Sequence, residues 1–185
     1  MAGLDEVGRG ALCGPVFAGA VILGDSIDTS GLDDSKKLTA RQREALALRV
    51  RRDALAVAIG VCQPDEIDRL NILRATQLAM RRALEALATT PDLVLVDGHL
   101  PVPALELAQR AIVKGDAQSV SIAAASIVAK VARDAEMERL DERFPGYGLS
   151  GNKGYGSEEH RQALRRLGPS AVHRRSFHGT QAWLF

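Results

Sequence analysis

Cysteine is scarce in this chain. Its 185 residues hold two, Cys13 and Cys62, both in apolar surroundings and neither with metal-ligand spacing. Buried free thiols are expected, which excludes a disulfide framework and points to a reducing compartment, the cytoplasm. No apolar run approaches the ~20 residues that a membrane helix needs. No basic segment followed by an apolar stretch opens the chain, so no signal peptide is read. Internal repeats, low-complexity tracts and proline- or glycine-rich linkers are missing as well. A single domain over residues 1–185, acting as a monomer, is therefore expected. The four histidines, His99, His160, His173 and His178, show no metal-binding spacing. Most are expected at the surface, with His178 near enough to a basic cluster in the tail to touch a ligand.

What is present suits a globular protein. The apolar fraction is 46% and the net charge +1. That charge hides an asymmetry: residues 1–142 carry a net −4 and residues 143–185 a net +5. The basic tail is a candidate phosphate-binding face, although an Arg-rich solvated helix has the same composition.

Strands are expected at 3–7, 16–23 and 54–62, reading as an antiparallel meander interrupted by a helix at 39–52 with Thr39 as its N-cap. Helices follow at 65–70 and 72–88, then strands ending at Asp97 and near Val113. The segment 119–143 carries apolar residues at Ala124, Ile127, Val128, Val131 and Ala135, the spacing of a helix face. A last helix is expected at 157–167, capped by Ser157. Strands first and alternation afterwards predict an α/β fold, a mixed sheet with helices on both faces.

Four segments carry the chemistry. Gly3-Leu4-Asp5-Glu6-Val7-Gly8-Arg9-Gly10 places two adjacent carboxylates in an apolar strand. An unpaired buried Asp is costly, and a divalent metal would offset its desolvation. Neighbouring strand residues face opposite ways, so Asp5 and Glu6 share a pocket only where the strand ends or twists. The run Leu93-Val94-Leu95-Val96 stops at Asp97-Gly98, and open α/β sheets place ligands at such carboxyl ends. Ala111-Ile112-Val113-Lys114-Gly115-Asp116 ends in the same way. Asn152-Lys153-Gly154-Tyr155-Gly156 is a glycine-rich loop with an aromatic ring that can stack on a base or sugar.

These motifs, with Asp34-Ser35-Lys36-Lys37-Leu38 and the run Ser121-Ile122-Ala123-Ala124-Ala125-Ser126-Ile127-Val128-Ala129-Lys130-Val131-Ala132-Arg133-Asp134, resemble bacterial ribonuclease HII from residue 3 to about Phe177. The resemblance implies an RNase H-like fold with a helical C-terminal part from about residue 143. It implies that Asp5, Glu6, Asp97 and Asp116 are the catalytic acids. An oxygen-only set suits Mg²⁺ or Mn²⁺, and two such ions, typically ~3.5–4 Å apart, clamp an in-line phosphoryl displacement. The backbone of Gly8, Arg9 and Gly10 would read the 2′-OH that marks RNA. Tyr155 would stack on the deoxyribose 3′ of the ribonucleotide, while Tyr147 is assigned to packing. Ser35, Lys36 and Lys37, and less directly Lys130, Arg174 and Arg175, would meet phosphates.

The implied activity is cleavage of RNA–DNA hybrids, and of duplex DNA 5′ of a single ribonucleotide, leaving a 3′-hydroxyl and a 5′-phosphate. The alternatives are a type III hybrid nuclease, whose usual extra N-terminal domain leaves no room for Asp5 so near the start, and a non-catalytic nucleic-acid-binding module. The ending Gln181-Ala182-Trp183-Leu184-Phe185 resembles a peptide that docks on the replication sliding clamp, with Ala182 at a position that is usually Leu. Packing of Trp183 and Phe185 onto the domain is the other reading.

Overall fold

The computed structural model describes residues 1–33, 35 and 38–181. Five strands, β1 (Ala2–Val7), β2 (Val16–Ile22), β3 (Ala56–Cys62), β4 (Leu93–Asp97) and β5 (Ala108–Ile112), form one mixed sheet in the order β3-β2-β1-β4-β5. β2 runs antiparallel to both β1 and β3, whereas β1, β4 and β5 run parallel. β1 is thus central, and its carboxyl end lies beside that of β4.

The helices are α1 (Ala40–Asp53), α2 (Pro64–Leu70), α3 (Ile72–Glu85), α4 (Val120–Arg143), α5 (Leu149–Asn152), α6 (Glu158–Leu167) and α7 (His178–Gln181), with a 3₁₀ turn at Gly115–Ala117. One sheet face, carrying Leu4, Val16, Val94 and Val96, packs on Ile67 of α2 and on Ala79 and Met80 of α3. The other, with Val21, Val57 and Ile59, packs on Val50 of α1 and Ile127 of α4. A third core joins Cys13, Met137 and Leu140 to Tyr147, Leu149 and Leu164, tying the C-terminal helices to the far half of α4. Both cysteines are buried free thiols.

Local chemistry sets several boundaries. Thr39 makes a full capping box with Gln42, and the Ser157 side chain accepts from the His160 amide. Ala54, expected in β3, instead caps α1 by donating to the Val50 carbonyl, 3.0 Å. α3 stops at Glu85 because Leu87 turns back to the Leu84 carbonyl, 3.2 Å, ahead of Pro91.

α4 is buried all round from Ser121 to Ala129, wider than the stripe its spacing predicts. The cause is close approach. A Cβ on Gly3 would overlap the Ser121 backbone, and one on Gly19 the Ala125 carbonyl. Gly19 pairs directly with Asp5, so this bare strand surface brings α4 down beside that carboxylate.

Candidate active site

A cavity of about 410 Å³ opens over the carboxyl ends of β1 and β4, walled by Asp5, Glu6, Asp97, the Gly8-Arg9-Gly10 turn and Tyr155, with Ser35, Ser126 and Lys130 at its α4 side. Asp5 and Glu6 reach one space because it lies over the end of β1 and collects side chains from both sheet faces. Glu6 and Asp97 also line a second cavity of about 190 Å³, shared with Thr76, Gln77 and His99. The two carboxylates form the ridge between the cavities.

Each of the three carboxylates commits one oxygen to the protein. Asp5 accepts from the Glu6 amide at 2.7 Å, Asp97 from the Gly115 amide at 2.6 Å, and Glu6 from the Arg9 guanidinium at 3.2 Å. Asp116 is buried in the 3₁₀ turn that begins at Gly115 and lies off the wall of the main cavity. Burial first, then repulsion from Glu6 and Asp97, holds the Asp5 carboxyl well above the usual carboxylate range. Burial also raises Glu6, against the pull of Arg9.

Among the described residues no three His, Cys, Asp or Glu side chains are gathered closely enough to form a finished metal cage. The donor set nonetheless fits Mg²⁺ or Mn²⁺. It offers oxygen only, and the burial and repulsion that raise Asp5 are what a divalent cation offsets.

Two buried arginines shape the turn. Arg174 donates from Nε to the Gly14 carbonyl at 2.9 Å, from Nη1 to that of Arg9 at 2.8 Å and from Nη2 to that of Gly8 at 2.7 Å. It was expected to meet phosphate; fully buried, it is spent inside the protein, holding the turn. Arg133, also fully buried, donates to the Pro15 carbonyl at 3.1 Å and lies 5.5 Å from the Tyr155 ring.

Other expected contacts are distributed as follows. Lys130 pairs with Asp134 at 2.7 Å on the cavity rim, and the buried Ser35 hydroxyl bonds that of Ser126 at 2.9 Å. Arg175 is exposed, its backbone amide bonded to Asp68 at 3.0 Å. Lys36, Lys37 and the last four residues, Ala182 to Phe185, lie outside the described residues. Tyr155 is 39% exposed and Tyr147 only 7%, its hydroxyl donating to the Gly168 carbonyl at 2.7 Å. The histidine expectation fails at two positions: His160 and His173 are fully buried and bonded to each other, because the third core closes over them. The readable signals for these residues are Arg133, a cation within the apolar run that continues to Ala135, and the compact run His173-Arg174-Arg175-Ser176-Phe177.

The family model described as Ribonuclease HII matches residues 2–180. The chain is 53% identical over 184 residues to Ribonuclease HII of Syntrophotalea carbinolica, covering 100% of this chain and 88% of that one. Its fold is similar to that of ribonuclease H2 from Pyrococcus horikoshii, with a TM-score of 0.82, 28% identity and 98% and 95% of the two chains covered. It is similar also to the RNase HII solved in complex with PCNA from Archaeoglobus fulgidus, with a TM-score of 0.79, 30% identity and 94% and 92% covered.

Proposed function

The chain belongs to the ribonuclease HII family and is a metal-dependent ribonuclease H-type endonuclease; on that premise we propose that it cuts both RNA–DNA hybrids and duplex DNA on the 5′ side of a single embedded ribonucleotide. The carrying observation is that one cavity joins three carboxylates, a glycine-flanked turn and an exposed tyrosine. A binding module has no use for carboxylates that repel phosphate.

Asp5, Glu6 and Asp97, with Asp116 behind them, would hold Mg²⁺ or Mn²⁺. When bound, such ions supply an activated water and stabilise charge on the departing 3′ oxygen, giving 3′-hydroxyl and 5′-phosphate ends. The Gly8-Arg9-Gly10 backbone takes the ribose 2′-OH, and Arg174 keeps that turn in place by holding two of its carbonyls. Tyr155 stacks on the sugar 3′ of the ribonucleotide, while Ser35, Lys36, Lys37 and Lys130 meet phosphates.

Among the described residues no helix is long and apolar enough to cross a membrane. A sliding clamp is the proposed protein partner, through Gln181-Ala182-Trp183-Leu184-Phe185. The archaeal homologue solved with PCNA supports this reading.

The test is a duplex whose single ribonucleotide carries 2′-fluorine, which keeps an acceptor and removes the donor. Cleavage slowed by about tenfold or more supports a turn that accepts the proton of the 2′-hydroxyl. Unchanged cleavage refutes it.

A further inference from the structure

His160 and His173 form a chain of hydrogen bonds that ends on the backbone of Tyr155, and its proton positions are determined by its ends. The Ser170 amide donates to His173 Nδ1 at 3.0 Å, and the Ser170 hydroxyl, 2.8 Å from the same nitrogen, donates to it as well. That nitrogen must carry the lone pair, so the proton of the neutral ring sits on Nε2. His173 Nε2 faces His160 Nε2 at 3.0 Å and donates to it. The His160 proton is thereby left on Nδ1, which lies 2.9 Å from the Tyr155 carbonyl. That carbonyl also accepts from the Ser157 amide at 2.8 Å. Both rings are fully buried and pack beside Tyr147, with centroids 6.4 Å and 4.8 Å away. The Leu12 amide also holds this loop, donating to the Gly154 carbonyl at 2.8 Å, and Arg133 lies against the tyrosine ring, while His160 is the side chain that fixes the Tyr155 carbonyl itself.

We propose that His160, locked in its Nδ1–H form by His173, is a positioning residue that sets the Tyr155 ring at the cavity mouth and so governs selectivity for the RNA–DNA junction. This rests on the reading of Tyr155 as the group that stacks on the sugar beyond the ribonucleotide. A continuous hybrid offers many equivalent sites for cutting. A single ribonucleotide offers one, and the ring must meet it in register.

The test compares kcat/KM on a duplex with one ribonucleotide against a continuous RNA–DNA hybrid, for the wild type, Tyr155→Ala, His160→Asn and His160→Gln. Asparagine places an amide N–H where Nδ1 stood. Glutamine carries its amide out to the place of Nε2 and leaves the Tyr155 carbonyl without that donor. Both lose ring packing, so both lower the melting temperature. The expected result is that His160→Gln, like Tyr155→Ala, lowers the junction-to-hybrid ratio by about tenfold, while His160→Asn stays within about threefold of the wild type. A merely structural role would depress both substrates alike in both His160 variants, and that outcome overturns the proposal. If Tyr155→Ala loses selectivity and His160→Gln keeps it, the role of Tyr155 stands and that of His160 falls. If Tyr155→Ala itself keeps selectivity, the assignment of Tyr155 is refuted and the proposal falls with it.

Discussion

Gly8 sits where the guanidinium of Arg133 leaves no room for a side chain. A Cβ on Gly8 would overlap Arg133 Nε, and the backbone there has φ +93°, a region that L residues rarely occupy. Gly10, two residues on, is open: the nearest atom to its Cβ is Tyr155 Cε1 at 4.0 Å. The two glycines of one turn therefore answer to different demands. Gly8→Ala is expected to cost about 2–4 kcal/mol of stability. Gly10→Ala should stay within about 0.5 kcal/mol of the wild type and yet slow cleavage, because its methyl group intrudes where a sugar would approach. Urea melts and single-turnover rates on both variants check this.

Arg174 is expected to behave as a structural brace. Arg174→Ala removes a donor from the carbonyls of Gly8, Arg9 and Gly14, leaving Gly8 only the Ala11 amide at 3.4 Å, and should cost about 3–5 kcal/mol. Arg174→Lys keeps the charge but not the three-way fork, so it should recover little. A direct phosphate contact predicts the opposite: normal stability, with affinity for nucleic acid reduced and partly restored by lysine.

The raised Asp5 carboxyl gives a signed dependence on pH and metal. With chelator present, the folded protein keeps a proton on Asp5 at pH values where the unfolded chain, with its ordinary value of 3.8, has released it. Stability contributed there is lost as pH rises through that range. Asp5→Asn does not titrate, so its melting temperature should gain on the wild type as pH rises above the ordinary value of 3.8. Adding Mg²⁺ should raise the wild type and leave the variant unmoved, and the variant should cleave at least about a hundredfold more slowly. Parallel melting curves across a pH series, with and without Mg²⁺, decide the point.

The two tyrosines separate in the same way. Tyr147→Phe deletes one buried hydrogen bond, worth about 1 kcal/mol, with cleavage unchanged. Tyr155→Ala should leave the melting temperature near that of the wild type and cut junction cleavage by about ten- to a hundredfold. The reverse pattern would mean that Tyr147 is the substrate-facing ring.

Features written in short stretches of sequence were the legible ones. The Thr39 and Ser157 caps, the strand carrying Asp5 and the strand ending at Asp97 each follow from a few neighbouring residues. The brace from Arg174 to Gly8 spans 166 positions, and no local pattern announces it. His160 and His173 meet only because α6 and the following turn close a core, so spacing rules for metal ligands could not find them. The full burial of α4 follows from strand glycines opposite it, a property of packing rather than of helical period.

In the proposed function one cavity couples metal-holding carboxylates to a turn and a ring that read a single ribonucleotide. Cleavage of a DNA duplex containing one ribonucleotide, mapped at nucleotide resolution in Mg²⁺ and in Mn²⁺, tests it most directly. The expected result is one cut on the 5′ side of the ribonucleotide with a free 3′-hydroxyl, and no cut in chelator. An enzyme that degrades continuous RNA–DNA hybrids but leaves that duplex whole, or cuts it on the 3′ side, contradicts it.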